Sequence, residues 1–598
     1  MPKPGFSPAA WRLTALEALG KHLVGSRNAR PLNTDELKKH KGRGATHGWR
    51  ISLTDSTEQV FEIDVITDAD FPYSAVRLAL AESLGEHGRP HIEADDVLCV
   101  LPGGSSISPR DPIGVLEEIL SDAAGLIEYW LDKNSAQDFE EEFLSYWSFS
   151  VGDNVPETVS LIRPEGPSRR ISVWHGDRIT VCADDRGTLE RWLRRFGPRA
   201  QTRTFRIKDG VLLWLASPMR PAEYPKTAAD LLTLAKTRCK VGLRLLLGSD
   251  AVGTRDLNVI IGATTPHGGC FAGVRVSCPP ERELNKGFRP GRVPRAVLRN
   301  LYFSANRAVA RAVVQRADHA WIHGRDQDER QVVLMRKRVL VLGCGAIGSG
   351  VARLLAQAGV GYLTLVDRQI MDWPNVSRHA LGVQAVGKAK SKALAEELTH
   401  DFPHLGEIEA RVETFGVSST ALIDELPTFD LIVSATGVWG TDALLNDLRR
   451  AGLNLPPAVF AWMEPHAAAA HAVLLSAKSE GCLHCGFHSN GKPVTAVSSW
   501  EPDNMQYQEP ACGATFSPFG AVELAAAHHL TADLALDALL DGDVDTAYRV
   551  SVTSDERLRR AGGSWNESWV KQHPPHATNP SIASPSWNKN PSCPACGD

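Results

Sequence analysis

The period at which apolar residues recur changes along the chain. From Trp11 to Leu23 it is helical, and in Trp49-Arg-Ile-Ser-Leu and Val60-Phe-Glu-Ile-Asp-Val it is the alternation of half-buried strands. Asp70-Phe-Pro-Tyr, an extended segment around Val76 to Leu80 and a Gly/Pro-rich stretch containing Cys99 follow. A long helical pattern from Ile113 to Leu131 then closes the unit. Strands grouped between helices predict an α+β domain over residues 1–150. Residues 151–320 hold strand-like runs (Ile171-Ser-Val-Trp, Arg178-Ile-Thr-Val, Val211-Leu-Leu-Trp-Leu, Leu257-Asn-Val-Ile-Ile), one helix near Pro225 to Ala235 and no catalytic motif. They read as a mostly β linking domain. From Arg336 strands and helices alternate: strands at Arg338, Tyr362, Leu431 and Ala458, and helices over Ile347–Ala358 and Val383–Leu398. That order predicts a parallel sheet with helices on both faces, an α/β domain over residues 321–560. After Gly562 the composition turns to Pro, Ser, Asn and Trp, and residues 561–598 read as a tail without a core of its own.

At 598 residues the chain is too long for one core, which agrees with several domains. The 65 basic and 70 acidic side chains leave a net charge of −5, which gives no global case for nucleic acid as a partner. No apolar run approaches the ~18 residues of a membrane span, and the N-terminal residues lack a signal peptide's pattern. A cytoplasmic location with reduced thiols is expected, so the eleven cysteines read as catalytic, metal-bound or buried. Cys182, Cys239, Cys270, Cys278 and Cys344 have no metal spacing and are expected at buried apolar positions.

Gly343-Cys-Gly-Ala-Ile-Gly348 follows a buried-type strand and opens a helix, and Asp367 ends the next strand 19 residues further on. Gly343 makes the turn, Gly345 lets a phosphate approach the backbone, Gly348 packs helix on strand, and Asp367 suits ribose hydroxyls. The fold alone would fit an NAD-dependent oxidoreductase. Asn375-Val-Ser-Arg378 and then Gly387-Lys-Ala-Lys390, placed on a helix, point elsewhere. With them the stretch from about Arg336 to Thr553 resembles the Rossmann-like adenylating domain of the ubiquitin-activating superfamily, the ThiF/MoeB type. The resemblance implies ATP as substrate, with Asn375, Arg378 and Lys390 on its phosphates, Mg2+ beside them, and a homodimer through this domain. The family's magnesium-binding aspartate is replaced by Gly437, so either Asp442 supplies that carboxylate or the metal is held differently.

Cys482-Leu-His-Cys485 and Cys593-Pro-Ala-Cys596 can close a four-thiolate structural Zn2+ site, which would also hold a coreless tail. The resembled family splits its zinc ligands in the same way. Cys512, in Gln508-Glu-Pro-Ala-Cys-Gly-Ala before a helix starting near Val522, lies in the segment that crosses the active site in that family, and is the candidate thioester nucleophile.

Arg89-Pro90-His91 stands about ten residues before Cys99. With the preceding helix and strands, this stretch resembles a ubiquitin-conjugating domain whose His-Pro-Asn motif precedes the catalytic cysteine. His91 then replaces the asparagine, and its imidazole N–H could serve the same oxyanion. The whole resembles fused activating–conjugating proteins of bacterial cyclic-oligonucleotide anti-phage systems. That implies adenylation of a partner's C-terminal, glycine-like carboxylate, thioester formation on Cys512, transfer to Cys99 and conjugation to a lysine. The donor would be a cGAS/DncV-like nucleotidyltransferase or a ubiquitin-like protein. The alternative in the same family is an adenylyltransferase for a sulfur carrier, with the N-terminal domain as a docking module.

Overall fold

In the computed structural model, the described residues are all except 1–6, 85–88, 94, 102–106, 133–134, 136, 153–154, 195–203, 290, 489–490, 509–514, 543–544, 574–580 and 598. They form two units, one built from residues 1–186 and 206–316, the other from 187–205 and 317–598.

The first unit opens with the helix Pro8–Arg27. Pro8 sits where its missing N–H costs nothing, and the Ser7 hydroxyl accepts from Ala10 N–H. Its Ala15, Leu16, Leu19 and Leu23 are buried, as are Leu116, Ile119, Leu120, Ala123 and Ile127 of the helix Pro112–Tyr129. Both faces belong to one apolar cluster with Ile51, Val65 and Leu78 of the sheet. That sheet is antiparallel, in the order Arg30–Pro31, His47–Thr54, Val60–Thr67, Arg77–Leu80. On it Asp64 is buried and takes hydrogen bonds from His40 (3.0 Å) and Arg50 (2.6 Å), so the charge is not left unpaired.

Residues 151–320 are β-rich as expected, and their seven strands close into a barrel. Its order is Gly268–Val276, Ala310–Arg316, Glu157–Ser160, Ile179–Ala183, Arg169–His175, Ile207–Trp214 and Leu257–Thr265, which returns to the first. The expected helix near Pro225 is Ala228–Arg238, and a second helix, Lys240–Leu247, follows at once. Cys239 stands between them. Its sulfur accepts from Gly242 N–H (3.2 Å), so this thiol is a helix cap and only half-buried. Cys278 is also half-buried, whereas Cys182, Cys270 and Cys344 are buried as expected. The helix Phe143–Phe149 lies before the barrel in sequence but shares its core. Phe143, Tyr146 and Trp147 cluster with Leu213, Val259 and Tyr224, and Trp147 Nε1 donates to Ala312 O at 2.9 Å.

The second unit is built on an eight-stranded sheet. Five strands are parallel, in the order Glu407–Arg411, Tyr362–Val366, Arg338–Leu342, Leu431–Ser434, Ala458–Met463. Ala469–Leu475, Ala547–Val552 and Ser581–Ala583 extend it antiparallel. Strand alternation sends Val339 and Val341 into a cluster with the helices Ala346–Gln357, Lys390–Asp401 and Ala521–Asp541. Leu340 and Leu342 go to the opposite face with Leu422, Leu445 and Trp569. Two expectations are corrected here. The helix read over Val383–Leu398 is a short turn, Val383–Ala385, then Gly387 at φ 84°, then the helix Lys390–Asp401. Gly387 therefore lies in the loop, and Lys390 is the first helical residue. The tail, read as lacking a core of its own, joins that of the sheet: Ser581–Ala583 adds a strand and Trp587 packs against Tyr548 (4.9 Å) and Phe487 (6.3 Å).

Beyond the parallel strands, Glu464 organises the second unit. Its carboxylate is buried and accepts from Val497 N–H (2.7 Å), Ser498 N–H (2.8 Å), the Ser498 hydroxyl (2.5 Å) and His471 Nε2 (3.1 Å). Burial alone would push this carboxyl up, and the bonds from His471, Ser498 and Val497 overcome that and hold it below the usual range. A depressed folded-state value means that the stabilisation is present above the unfolded value and is lost as pH falls through the folded one. Glu464→Ala leaves His471 and two backbone N–H groups unpaired. It should lower this unit's unfolding free energy, seen as a lower denaturant midpoint, by roughly 3–5 kcal/mol, and the loss should shrink toward acid pH. An unchanged midpoint at neutral pH would show that the carboxylate is dispensable.

Candidate adenylation and thiol sites

The glycine loop joins the Arg338–Leu342 strand to the Ala346–Gln357 helix, and each glycine has a geometric reason. Gly343 sits at φ 83°, and a Cβ there would lie 2.8 Å from Ala435 O. A Cβ on Gly348 would lie 1.8 Å from Gly343 O, so the helix can start against the turn only without a side chain. A Cβ on Gly345 would meet nothing within 4 Å, and Gly345 caps the helix without a side-chain bond, so no cap side chain satisfies the first-turn N–H groups. Gly343, Gly345, Asp367, Gln369, Phe415 and Thr436 line a cavity of about 190 Å³ at this end of the sheet. Asp367 shapes the loop directly: Oδ2 accepts from Cys344 N–H (2.8 Å) and Oδ1 from Gln369 N–H (2.7 Å). The Cys344 thiol is buried and pushed up, by burial first and then by Asp367, which leaves it a packing residue.

Lys390 is 5% exposed, and its ammonium donates to Gln369 Oε1 at 2.8 Å, beside the same cavity. Burial lowers its pKa while Asp367 opposes the shift, so an arriving anion would favour its charged form further. Asn375 ends a turn in which its Oδ1 accepts from Asp372 N–H (3.1 Å), and its carbonyl accepts from the N–H groups of Arg378 and His379. His379 Nε2 donates to Cys344 O at 2.7 Å and ties this turn to the glycine loop. Arg378 itself lies with its guanidinium carbon 4.7 Å from the Phe519 ring centroid, on a different cavity between the helices Ala346–Gln357 and Ala521–Asp541. The structure thus brings Gly343, Gly345 and Asp367 to one cavity, with Lys390 bonded to Gln369 of its wall, and places Arg378 on another.

Gly437 sits at φ 65° after the Leu431–Ser434 strand. Asp442, one helical turn on, is bonded to the Ser434 hydroxyl at 2.5 Å. Burial raises its carboxyl to about 6 against bonds from Ser434 and Thr436, and Thr436 also lines the cavity.

Cys512 lies outside the described residues. The strands on either side of it are Tyr507–Gln508 and Thr515–Phe516, paired antiparallel. The helix expected near Val522 begins at Ala521. Cys482, Cys485, Cys593 and Cys596 do converge: they are buried, and their sulfurs all lie within 4.8 Å of one another. Cys482 and Cys593 are 3.6 Å apart, Cys485 and Cys596 3.3 Å, near the spacing of about 3.8 Å that 2.3 Å bonds to one tetrahedral ion would give.

Cys99 is exposed, and its N–H donates to His91 O at 2.8 Å. His91 sits at φ 59°, and its N–H donates to the Tyr146 hydroxyl (2.7 Å). Both ring nitrogens face carboxylates, Nε2 to Asp138 (2.9 Å) and Nδ1 to Glu142 (3.3 Å). Glu142 and then Asp138 raise the imidazole's pKa against burial, which favours its protonated form. The Cys99 thiol is pushed up by burial and further by Glu142 and Glu93. Sequence reading missed Asp138, Glu142, Tyr146, Gln369 and His379 because none falls in a spaced motif. Only the acidic run Asp138-Phe-Glu-Glu-Glu142 gave a hint.

Residues 322–532 match the ThiF family and residues 22–154 the prokaryotic E2 family B. The chain is 26% identical over 469 residues to the ATP-dependent ubiquitin transferase-like protein Cap2 of Pseudomonas aeruginosa, covering 75% of this chain and 79% of that one. It is 28% identical over 256 residues to Cap2 of Vibrio cholerae, with 41% and 42% covered. It is also 31% identical over 115 residues to the probable adenylyltransferase/sulfurtransferase MoeZ of Mycobacterium tuberculosis, with 19% and 29% covered. With a ThiF domain behind a prokaryotic E2 domain, the chain has the layout of a fused activating–conjugating protein and is an adenylating and conjugating enzyme.

Proposed function

We propose that the chain activates the C-terminal carboxylate of a partner protein with ATP and conjugates it through two thioesters to a lysine. The observation that carries this reading is the pairing, in one chain, of the glycine-loop cavity flanked by Asp367 and Lys390 with an exposed Cys99 on an E2-type domain. The uncapped N–H groups beyond Gly345 suit phosphate, and Lys390 suits the charge that develops as pyrophosphate leaves. The partner's carboxylate oxygen attacks the α-phosphorus, giving an acyl adenylate. The Cys512 thiolate then attacks the acyl carbon, forming the C–S bond as AMP leaves with the electron pair. Cys99 exchanges with Cys512, and an amine displaces Cys99 to give the amide. Arg378 must leave Phe519 to reach the phosphates, so its role includes a side-chain movement.

Asp442 and the neighbouring Ser434 and Thr436 are oxygen donors of the kind Mg2+ takes alongside nucleotide phosphates, where the ion would offset their charge. The four converged cysteines fit Zn2+ in donor type and spacing, in a structural role. In this reading the enzyme is cytoplasmic, works as a homodimer through the ThiF domain, and takes as donor a cGAS/DncV-like nucleotidyltransferase in anti-phage defence. The likeness to Cap2 supports that assignment.

Three outcomes are expected. Lys390→Ala and Arg378→Ala should each reduce partner-dependent ATP–pyrophosphate exchange by roughly a hundredfold or more; undiminished exchange in both would remove these residues from the ATP site. Cys512→Ala should retain exchange and form no thioester, while Cys99→Ala should stop at the Cys512 thioester. Normal loading of Cys99 in Cys512→Ala would reverse that order, and conjugation by Cys99→Ala would favour a sulfur-carrier adenylyltransferase. Elemental analysis should find one zinc per chain, lost in Cys593→Ser/Cys596→Ser together with thermal stability; a zinc-free, equally stable wild-type protein would refute the metal.

A further inference from the structure

The backbone of Pro90-His91, just ahead of Cys99, is held at successive atoms. Trp130 Nε1 donates to Pro90 O at 2.9 Å, and His91 N–H donates to the Tyr146 hydroxyl at 2.7 Å. His91 O accepts from Cys99 N–H at 2.8 Å, and Ile92 pairs with Leu98 between them. Fixed on both sides, His91 stays at φ 59°, a left-handed conformation that a non-glycine residue keeps only where its surroundings over-determine it. The Tyr146 hydroxyl in turn donates to Glu142 Oε2 (3.0 Å), and Glu142 Oε1 meets His91 Nδ1 (3.3 Å). These contacts close a ring through both the backbone and the side chain of His91.

Tyr146 is anchored away from the sheet beside Cys99. It is buried in the apolar cluster of the barrel, to which its helix also contributes Phe143 and Trp147. Those two rings pack on Tyr224, at 5.9 and 5.0 Å between centroids, and Trp147 Nε1 is bonded to Ala312 O. A line of contacts therefore runs from the barrel core through Tyr146 to His91 and ends on the N–H of Cys99. Cys99 is exposed. An exposed side chain takes its place from its backbone more than from its neighbours, so the hold on His91 is also a hold on the thiol.

We infer that Tyr146 is a positioning residue for acyl transfer at Cys99: through the His91 backbone it fixes the thiol, and the barrel, which carries no catalytic motif, serves the step by seating the Tyr146 helix. This rests on Cys99 being the conjugating nucleophile. In the loading step the Cys99 thiol gives its proton to solvent, its thiolate forms a C–S bond to the acyl carbon, and the donor thiolate leaves with the electrons of the broken C–S bond. In the discharge step a neutral amine forms the C–N bond, the Cys99 thiolate leaves, and the amine's proton goes to solvent. Tyr146 itself forms and breaks no bond. A misplacement of about 1 Å in such a step costs roughly a hundredfold in rate.

The test uses the full chain and the mercaptoethanesulfonate thioester of acetyl-diglycine, a small donor that loads a reactive thiol without ATP, followed by free lysine. Peptide mass mapping follows the acyl group on Cys99. Tyr146→Phe removes the hydroxyl and keeps the ring in its cluster. It should lower the maximal rate of discharge to lysine roughly ten- to a hundredfold, with the half-saturating lysine concentration and the iodoacetamide reactivity of Cys99 unchanged. Glu142→Gln, whose amide oxygen can still accept from Tyr146, should lose less. Trp147→Phe, which gives up the bond to Ala312 O and keeps a buried ring, should lower the same maximal rate, and it decides the case if Tyr146→Phe does not fold. Wild-type discharge in Tyr146→Phe or in Trp147→Phe overturns the proposal. So does a loss confined to half-saturation, one matched by slower alkylation of Cys99, or a larger loss in Glu142→Gln than in Tyr146→Phe. Discharge that persists in Cys99→Ala, or an acyl group that never reaches Cys99 in the wild type, removes the nucleophile and this role with it.

Discussion

The second unit depends on a contact that only hydrogen allows. The Ala346–Gln357 helix begins so close to the preceding turn that a methyl at position 348 would overlap the Gly343 carbonyl at 1.8 Å. This approach sets the helix axis against the Arg338–Leu342 strand, and with it the burial of Val351, Ala352 and Leu355 on the central strands. It also places the uncapped end of the helix at the mouth of the cavity. Asp367 reinforces the arrangement from the next strand, bonded to the N–H groups of Cys344 and Gln369, and Gln369 in turn receives Lys390. The nucleotide end of the domain is thus one connected set of contacts that starts from a missing side chain.

The two thiol regions differ in their electrostatics. Around the glycine loop, a buried lysine and open amides create a deficit of negative charge. Around Cys99, Glu93, Asp138 and Glu142 create an excess, and two of them, Glu142 and Asp138, also bond the His91 ring. The first environment suits a polyphosphate. The second raises the pKa of the Cys99 thiol and disfavours its thiolate. The imidazole is already bonded to two carboxylates, so service to an oxyanion would first require one of those bonds to be given up.

The parallel-sheet domain was legible because its strands are buried on both faces and bounded by glycine turns. The Val339-Leu-Val-Leu342 run and the glycine spacing leave few other readings. The α+β character of the N-terminal region was legible for the same kind of reason, since strand and helix periods there are clean. The closed barrel was not, because closure depends on pairings between distant strands, Glu157–Ser160 with Ala310–Arg316 among them, that leave no local trace. The start of the helix at Lys390 was misplaced because a helical pattern ran through Gly387, whose positive φ breaks it. The tail's packing was hidden by composition: Trp565, Trp569 and Trp587 reach the sheet's apolar cluster from a segment rich in polar residues and proline. At the sites, spaced motifs were found and their supports were not. Asp138, Glu142 and Gln369 reach the candidate sites from positions that no spacing marks.

The cysteine cluster has a consequence for how the protein is made. Cys482 and Cys485 meet partners 111 residues later in the chain. While a ribosome is still adding the intervening helix and strands, two soft thiols stand side by side without their counterparts, and the sheet edge at Ala547–Val552 waits for Ser581–Ala583 to cover it. That interval is when the nascent chain is most exposed to oxidation and to edge-to-edge association. Synthesis rate and metal supply during those residues, more than equilibrium stability, would then govern the yield of intact enzyme.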